Sequence, residues 1–289
     1  MTAPTIDTIQ TYYNDRVAGK LRDFTEINPR IEAAIELLAE WAPRNPKGIL
    51  EIGIGIGATS WRMARAWPGA QVTGVDISPT SVEVANTCFR LPNLSYRAGI
   101  VNESFLSGQY DLVLMMDVYE HIPLADRPTI HAAIKAHLSD ECRIVLTVPT
   151  PALQRAARDI PGGLQPVDED IGLDEINRFA RETDTQLLYF RQVGIWEYGD
   201  YAHLVFGRYQ SLAKVGDRPP TDLSVSARLK RWLKGEAVSS GEKNLDYFGY
   251  DVGRRRAHNV PEGLMVSQAE RARIASEWFK NHKDNGPAK

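Results

Sequence analysis

The chain has 289 residues, of which 34 are Lys or Arg and 37 are Asp or Glu, a formal charge of −3, with 43% hydrophobic types. Such proportions describe an ordinary globular chain, with enough apolar material for one large α/β domain with additions or for two modest domains. They exclude a membrane-spanning chain, since no stretch approaches the ~18 to 20 consecutive apolar residues that a span needs. The polar start Met1-Thr2-Ala3-Pro4-Thr5 has neither the charged nor the apolar part of an export signal, so a cytoplasmic location is expected. Cys88 and Cys142 have no pairing or metal-ligand spacing and read as core thiols. Charge is unevenly spread: residues 205–289 carry 16 basic against 10 acidic side chains, leaving 18 against 27 before them. The acidic body opposes wholesale binding of a phosphate backbone.

In chain order, Ile31, Ile35, Leu38 and Trp41 recur at helical spacing behind an Asn28 cap and Pro29, predicting a helix from Asn28 to Trp41. Ile49–Ile52 predicts a strand, followed by a glycine turn and a helix from Ala58 to Trp67. The unit then repeats. Strands are expected at Gln71–Asp76, Leu94–Ala98, Asp111–Asp117 and Arg143–Val148, and helices at Pro79–Arg90 and Leu124–Leu138. Near-continuous apolar strands that alternate with amphipathic helices predict a doubly wound, Rossmann-like α/β fold with a mostly parallel sheet. Beyond it, Asp174–Thr183 reads as a helix, and Gln186–Trp196 with Tyr201–Tyr209 as an antiparallel hairpin at the sheet edge. The later helix candidates are Leu223–Leu233 and Gln268–His282, the second with a capping box from Ser267 and Glu270. The expected division is an N-terminal helical segment at 1–44, a main domain at 45–209 and a basic, helical C-terminal appendage at 210–289.

After the first strand comes Glu51-Ile52-Gly53-Ile54-Gly55-Ile56-Gly57, where glycines let a ligand approach main-chain N–H groups at a helix start. A dinucleotide fingerprint wants G-x-G-x-x-G, so this spacing disfavours a pyrophosphate cradle and a nicotinamide-dependent oxidoreductase. The second strand ends in Asp76, where a carboxylate can accept both hydrogens of a ribose diol. Together with the Tyr110-Asp111-Leu112-Val113 strand, these residues resemble the class I S-adenosylmethionine-dependent methyltransferases over residues 45 to 209. The resemblance implies that Gly53, Gly55 and Gly57 pass close to the methionine and ribose of S-adenosylmethionine, that Glu51 steadies the loop, and that Asp76, with Ile77 beside it, holds the ribose. Many relatives carry an acidic residue after the third strand for adenine. Here Ile100 stands there, leaving the main chain of Gly99 and Ile100, or the Asn102 side chain, to replace that contact.

The fourth strand ends in Asp117-Val118-Tyr119-Glu120-His121, where ligands bind in open α/β sheets. Asp117, Glu120 and His121 stand at i, i+3 and i+4, so one helical turn would place them on a single face. One reading makes His121 a general base oriented by Glu120 or Asp117, with Asp117 also beside the cofactor. A second makes the trio ligands of a divalent cation, magnesium or manganese, that acidifies an acceptor hydroxyl. The segment D-x-x-E-H resembles the metal-associated stretch of ubiquinone-pathway O-methyltransferases. A structural role for the trio is the third alternative. The Asn/Asp-Pro-Pro-aromatic turn of base N-methyltransferases is absent, which moves weight toward an oxygen acceptor and away from RNA or amine acceptors.

Tyr12, Tyr13, Trp196, Tyr198 and Tyr201 are candidates for a lid over cofactor or acceptor. The tail interleaves Arg228, Lys230, Arg231, Trp232 and Lys234 with Tyr247, Phe248, Tyr250 and Arg254-Arg255-Arg256. It reads as a solvated, subunit-docking arm that could join a homo-oligomer rather than as a nucleic-acid site. The expected function is methylation of a hydroxyl on a small polar or glycan-like acceptor, with no membrane partner.

Overall fold

The structure, a computed structural model, describes residues 4–208 and 261–281. The chain divides into two units, one of Met1–Tyr209 with Val260–Lys289 and one of Gln210–Asn259; every described residue lies in the first. The expected helix at 223–233 and the basic, aromatic arm therefore fall outside the described residues.

Seven strands form one sheet in the order β3-β2-β1-β4-β5-β7-β6. The strands are β1 (Gly48–Ile52), β2 (Gln71–Asp76), β3 (Leu94–Ala98), β4 (Tyr110–Met116), β5 (Leu138–Pro149), β6 (Gln186–Val193) and β7 (Tyr201–Gly207). The first five run parallel, and β7 inserts antiparallel between β5 and β6. Strands β1, β4 and β7 are buried along nearly their whole length because both faces are covered, whereas the edge strands β3 and β6 are partly exposed. Ile49, Val72, Leu112, Leu114, Val145 and Val205 pack on one face, and Leu50, Ile52, Val113, Met115, Ile144 and Leu204 on the other.

Helices α3 (Pro29–Trp41) and α4 (Ala58–Ala66) cover the first face, and α6 (Arg127–His137) and α8 (Leu173–Glu182) the second. Asn28 caps α3 by accepting the Arg30 N–H, and Pro29 occupies its first turn. Helix α5 (Pro79–Cys88) follows β2 behind a Ser78 cap. The expected helix at Leu124–Leu138 begins only at Arg127. β5 starts earlier than the expected Arg143 because Leu138 pairs with Tyr110 across an irregularity.

Three helices have no forerunner in the sequence reading: α1 (Ile6–Asn14), α2 (Val17–Glu26) and α7 (Pro151–Arg158). α1 and α2 are short and polar, and bury only Ile9, Val17, Leu21 and Phe24, so their apolar period is thin. The last helix, α9 (Gln268–Asn281), is capped by Ser267 Oγ, which accepts the Glu270 N–H at 3.2 Å, as the capping box predicts.

The expected appendage boundary at 210 does not hold for this last segment, since Leu264, Ile274 and Trp278 are buried in the clusters built by α2, α3 and α4. A charged cluster fixes it there. Arg62 of α4, 2% exposed, grips both oxygens of Glu32 at 2.8 and 2.9 Å, and Arg271 of α9 reaches the same carboxylate at 2.8 Å. Arg62 Nε also donates to the Leu264 carbonyl. Burial raises the Glu32 pKa, but the two guanidinium groups outweigh it and hold it below the usual carboxylate range. A depressed folded-state pKa contributes stability above the unfolded value and loses it as pH falls through the folded one. Glu32→Gln should therefore cost about 3 kcal/mol near neutral pH, with the deficit shrinking under acid, as read by urea unfolding at two pH values. An unchanged midpoint would show that the cluster carries no net stability.

Candidate active site

The sheet reverses its winding between β1 and β4, and a crevice opens beyond the carboxyl ends of those strands. There a cavity of about 480 Å³ is lined by Glu51, Gly53, Gly55, Asp76, Ile77, Gly99, Ile100, Asp117 and His121. From the N-terminal helices come Tyr13, Lys20 and Arg30.

The glycine loop is shaped by close approach. Gly53 has φ +77°, and a Cβ there would lie 2.2 Å from Val118 Cγ2. Gly55 turns its N–H to Asp76 Oδ2 at 2.8 Å, while Ser78 N–H reaches Asp76 Oδ1 at 2.9 Å. Asp76 thus staples the loop to the end of β2 and still keeps lone pairs toward the cavity. Burial raises its pKa, opposed by Lys20 and by the Ser78 and Gly55 amides. Gly57 does not line the cavity. A Cβ on it would meet Ala85 Cβ at 2.6 Å and the Tyr96 ring at 2.9 Å, so it serves to seat α4 on α5 and β3, a correction to its expected cofactor contact.

Glu51 is 3% exposed and accepts the Ser60 hydroxyl, joining β1 to α4. Burial pushes its pKa up to about 8, against the Ser60 hydrogen bonds. Gly99 N–H donates to the Asp76 carbonyl at 2.9 Å, and Ile100, 41% exposed, borders the cavity beside it.

Helices α1 and α2 cover this crevice. Gln10 Nε2 donates to the Ile77 carbonyl at 3.1 Å, and the Ser78 hydroxyl donates to Asn14 Oδ1 at 2.6 Å. The Tyr13 ring lies 6.4 Å from the His121 ring, and Lys20 Nζ stands 5.2 Å from the Tyr13 ring centre. Of the expected lid aromatics, Tyr13 lines the cavity, Tyr201 is buried in β7 and accepts from Arg30 Nη1, and Tyr198 is fully exposed.

The D-x-x-E-H trio does not share one helical face. Asp117 sits in the left-handed region, φ +54°, and only Tyr119–His121 form a 3-10 turn. Three side chains go to three partners. Asp117 Oδ2 lies 2.7 Å from Arg30 Nε, and Arg30 Nη1 donates to the Tyr201 hydroxyl at 3.3 Å. His121 Nδ1 is 2.8 Å from the Val167 carbonyl and 3.0 Å from Asp168 Oδ1, so in the neutral ring it carries the proton and leaves Nε2 as acceptor. Gln165 Nε2 meets that nitrogen at 2.9 Å. Glu120, 1% exposed, stands behind, 3.5 Å from His121 Nε2. Burial raises the Glu120 pKa, with His121 opposing.

These pairings do not suit a divalent ion. The Asp117 carboxylate already faces a guanidinium, and both His121 nitrogens are engaged. Among the described residues no group of three His, Cys, Asp or Glu side chains is arranged to hold a metal. The expectation of Asp117, Glu120 and His121 as metal ligands is corrected on that geometry.

Beneath the turn, Arg127 is wholly buried. Its Nε donates to the Ile122 carbonyl at 3.0 Å and its Nη2 to the Tyr119 carbonyl at 3.3 Å, with Glu175 2.8 Å from Nη1. It holds the backbone on both sides of Glu120 and His121. Asp168, Gln165, Lys20, Arg30 and Arg127 escape sequence reasoning, because each is a lone polar residue with no local pattern.

The sequence profile of a family described as "Methyltransferase domain" matches residues 49–141, which hold the glycine loop, Asp76 and the D-x-x-E-H turn. Residues 49–141 thus match a methyltransferase domain, in agreement with the class I S-adenosylmethionine-dependent resemblance of the glycine loop and Asp76. It is 30% identical over 169 residues to the mitochondrial ubiquinone biosynthesis O-methyltransferase of Schizosaccharomyces pombe, covering 53% of this chain and 60% of that one. It is 26% identical over 185 residues to a probable chloroplastic tocopherol O-methyltransferase of Oryza sativa subsp. japonica, covering 61% and 48%. The chain thus spans about half the length of these curated relatives. A TehB-like methyltransferase from Corynebacterium glutamicum shares the fold, with a TM-score of 0.51 and 17% identity over 68% of this chain and 98% of that one.

The cavity fits the family's cofactor in its lining: a glycine loop that brings main chain to the wall, a buried carboxylate at the end of β2, and Ile100 beside Gly99. For Asp76→Ala, titration calorimetry with S-adenosylhomocysteine should show ~10- to 100-fold weaker binding, the loss expected for hydrogen bonds to a charged group. Retained affinity would remove Asp76 from the cofactor site.

Proposed function

We propose that this methyltransferase methylates a hydroxyl of a small polar or glycan-like acceptor, in a cytoplasmic setting. The observation that supports an oxygen acceptor best is the His121–Asp168 pair at the cavity, a base with a carboxylate that orients it. The two curated relatives are named as O-methyltransferases, which agrees with this reading. S-adenosylmethionine supplies an electrophilic methyl group on a sulfonium. This chain's residues position and deprotonate. Asp76 and the glycine loop fix the cofactor, while the Val167 carbonyl and Asp168 hold the His121 proton on Nδ1, so that Nε2 is the atom that accepts a hydroxyl proton. Gln165 holds the place of that hydroxyl until an acceptor enters. Arg127 keeps the turn from drifting, since sub-ångström placement governs proton transfer.

An RNA- or amine-directed activity is the second reading within the class, and a nicotinamide-dependent oxidoreductase lies outside it. Tight, salt-sensitive RNA binding would favour the former over the proposal.

Burial opposes the charged His121 ring, but Glu120, Asp168 and the Val167 carbonyl outweigh it and raise the pKa to about 9. A base must lose that proton to act, so kcat/KM should climb with pH through an alkaline limb above the ordinary imidazole range. Asp168→Asn removes charge that stabilises the imidazolium, so the limb should move to lower pH while the plateau drops at least ~10-fold. A pH–rate profile unchanged by Asp168→Asn would contradict His121 as the base.

A further inference from the structure

The reacting end of the cavity contains a cation that belongs to the chain. Arg30 opens α3, where the Asn28 cap fixes the first turn, and its side chain crosses to the carboxyl end of β4. There it meets Asp117 at 2.7 Å and the Tyr201 hydroxyl at 3.3 Å. Asp117 is 6% exposed, in a left-handed conformation, and its carboxylate faces the Arg30 guanidinium. Arg30 itself is 29% exposed and lines the cavity together with His121. A guanidinium has five N–H donors in a planar fork; of these Nη1 donates to Tyr201, while Nε lies against Asp117 as an ion pair without a hydrogen bond. A permanent charge in a partly desolvated crevice is a strong attractor for an oxyanion.

We propose that Arg30 is the acceptor-binding cation of this site and selects acceptors whose hydroxyl is acidic, such as a phenol, by stabilising the oxyanion that is methylated. This rests on the O-methyltransferase reading. The step balances without a further reactant. The hydroxyl proton passes to His121 Nε2, and the oxygen lone pair forms the new bond to the methyl carbon. The carbon–sulfur bond breaks with its electrons on sulfur, and Arg30 stays protonated throughout. Asp117 positions the fork. The charge that a divalent ion would bring to a D-x-x-E-H turn is here supplied by a side chain.

The test uses 4-nitrophenol, whose phenolate absorbs in the visible, with the full-length protein saturated by S-adenosylhomocysteine. Wild type should bind it as phenolate and lower its apparent pKa by at least one unit, equally in chelator and in added manganese. Arg30→Met should weaken phenolate binding at least tenfold and abolish the pKa shift, with Arg30→Lys retaining part of it. Should Arg30→Met fail to fold because Asp117 is left unpaired, Arg30→Met combined with Asp117→Asn keeps the pair neutral, and Asp117→Asn alone should bind phenolate at least as well as wild type. Affinity for S-adenosylhomocysteine should change less than threefold in the single Arg30 variants. Absence of phenolate binding by wild type, equal binding by the Arg30 variants, a parallel loss of S-adenosylhomocysteine affinity, or a requirement for manganese would each overturn the proposal. Failure of wild type to bind S-adenosylhomocysteine would instead remove the methyltransferase reading beneath it.

Discussion

The site depends on how closely the ends of β1 and β4 approach. Two adjacent parallel strands whose connections leave in opposite directions must open a crevice, and the loop after β1 can follow its wall only if nothing projects from it. Gly53 marks that limit, because a Cβ there would enter Val118 at 2.2 Å. Gly53 and Gly55 both take positive φ angles along this wall, and Gly55 turns its amide to Asp76. The loop and the D-x-x-E-H turn are thus two sides of one packing contact, and neither can move without the other.

Around this fixed floor the chain adds parts drawn from distant stretches of sequence. The N-terminal helices supply Tyr13, Lys20 and Arg30, while the segment after α7 supplies Gln165 and Asp168. Helix α1 is latched by side-chain hydrogen bonds more than by an apolar face, since it buries only Ile9 while Gln10 reaches Ile77 and Ser78 reaches Asn14. Elements held this way open at low free energy, which suits a cover that admits a cofactor. The floor, by contrast, rests on the fully buried strand residues Leu50, Leu112 and Leu114.

The parallel sheet was legible because its physical cause is local: a strand buried on both faces must be apolar throughout, and a helix beside it must alternate at 3.6. β2 and β3 fall on the expected residues, and the hairpin pairs in the expected antiparallel sense. The glycine loop and Asp76 were legible because backbone geometry demands particular residue types at fixed offsets. Gly57 misled for the same reason, since its spacing suits a ligand but its missing Cβ makes room for Ala85 and Tyr96. The pairs Arg30–Asp117 and His121–Asp168 join residues 87 and 47 positions apart, and no local rule encodes them. The metal expectation failed there too, because helical spacing was assumed where Asp117 adopts a left-handed conformation. The return of α9 to the body was hidden by the intervening segment, although its cap was readable.

Taken together, these contacts describe one crevice, floored by the glycine loop and roofed by α1 and α2, in which a sulfonium nucleoside would lie. Hydrogen exchange with and without S-adenosylhomocysteine tests that placement most directly. Saturating ligand should slow exchange together in 53–57, 76–78 and 99–101, and in the covering helices at 6–26. Protection confined to other parts of the chain, or none at saturation, would contradict it.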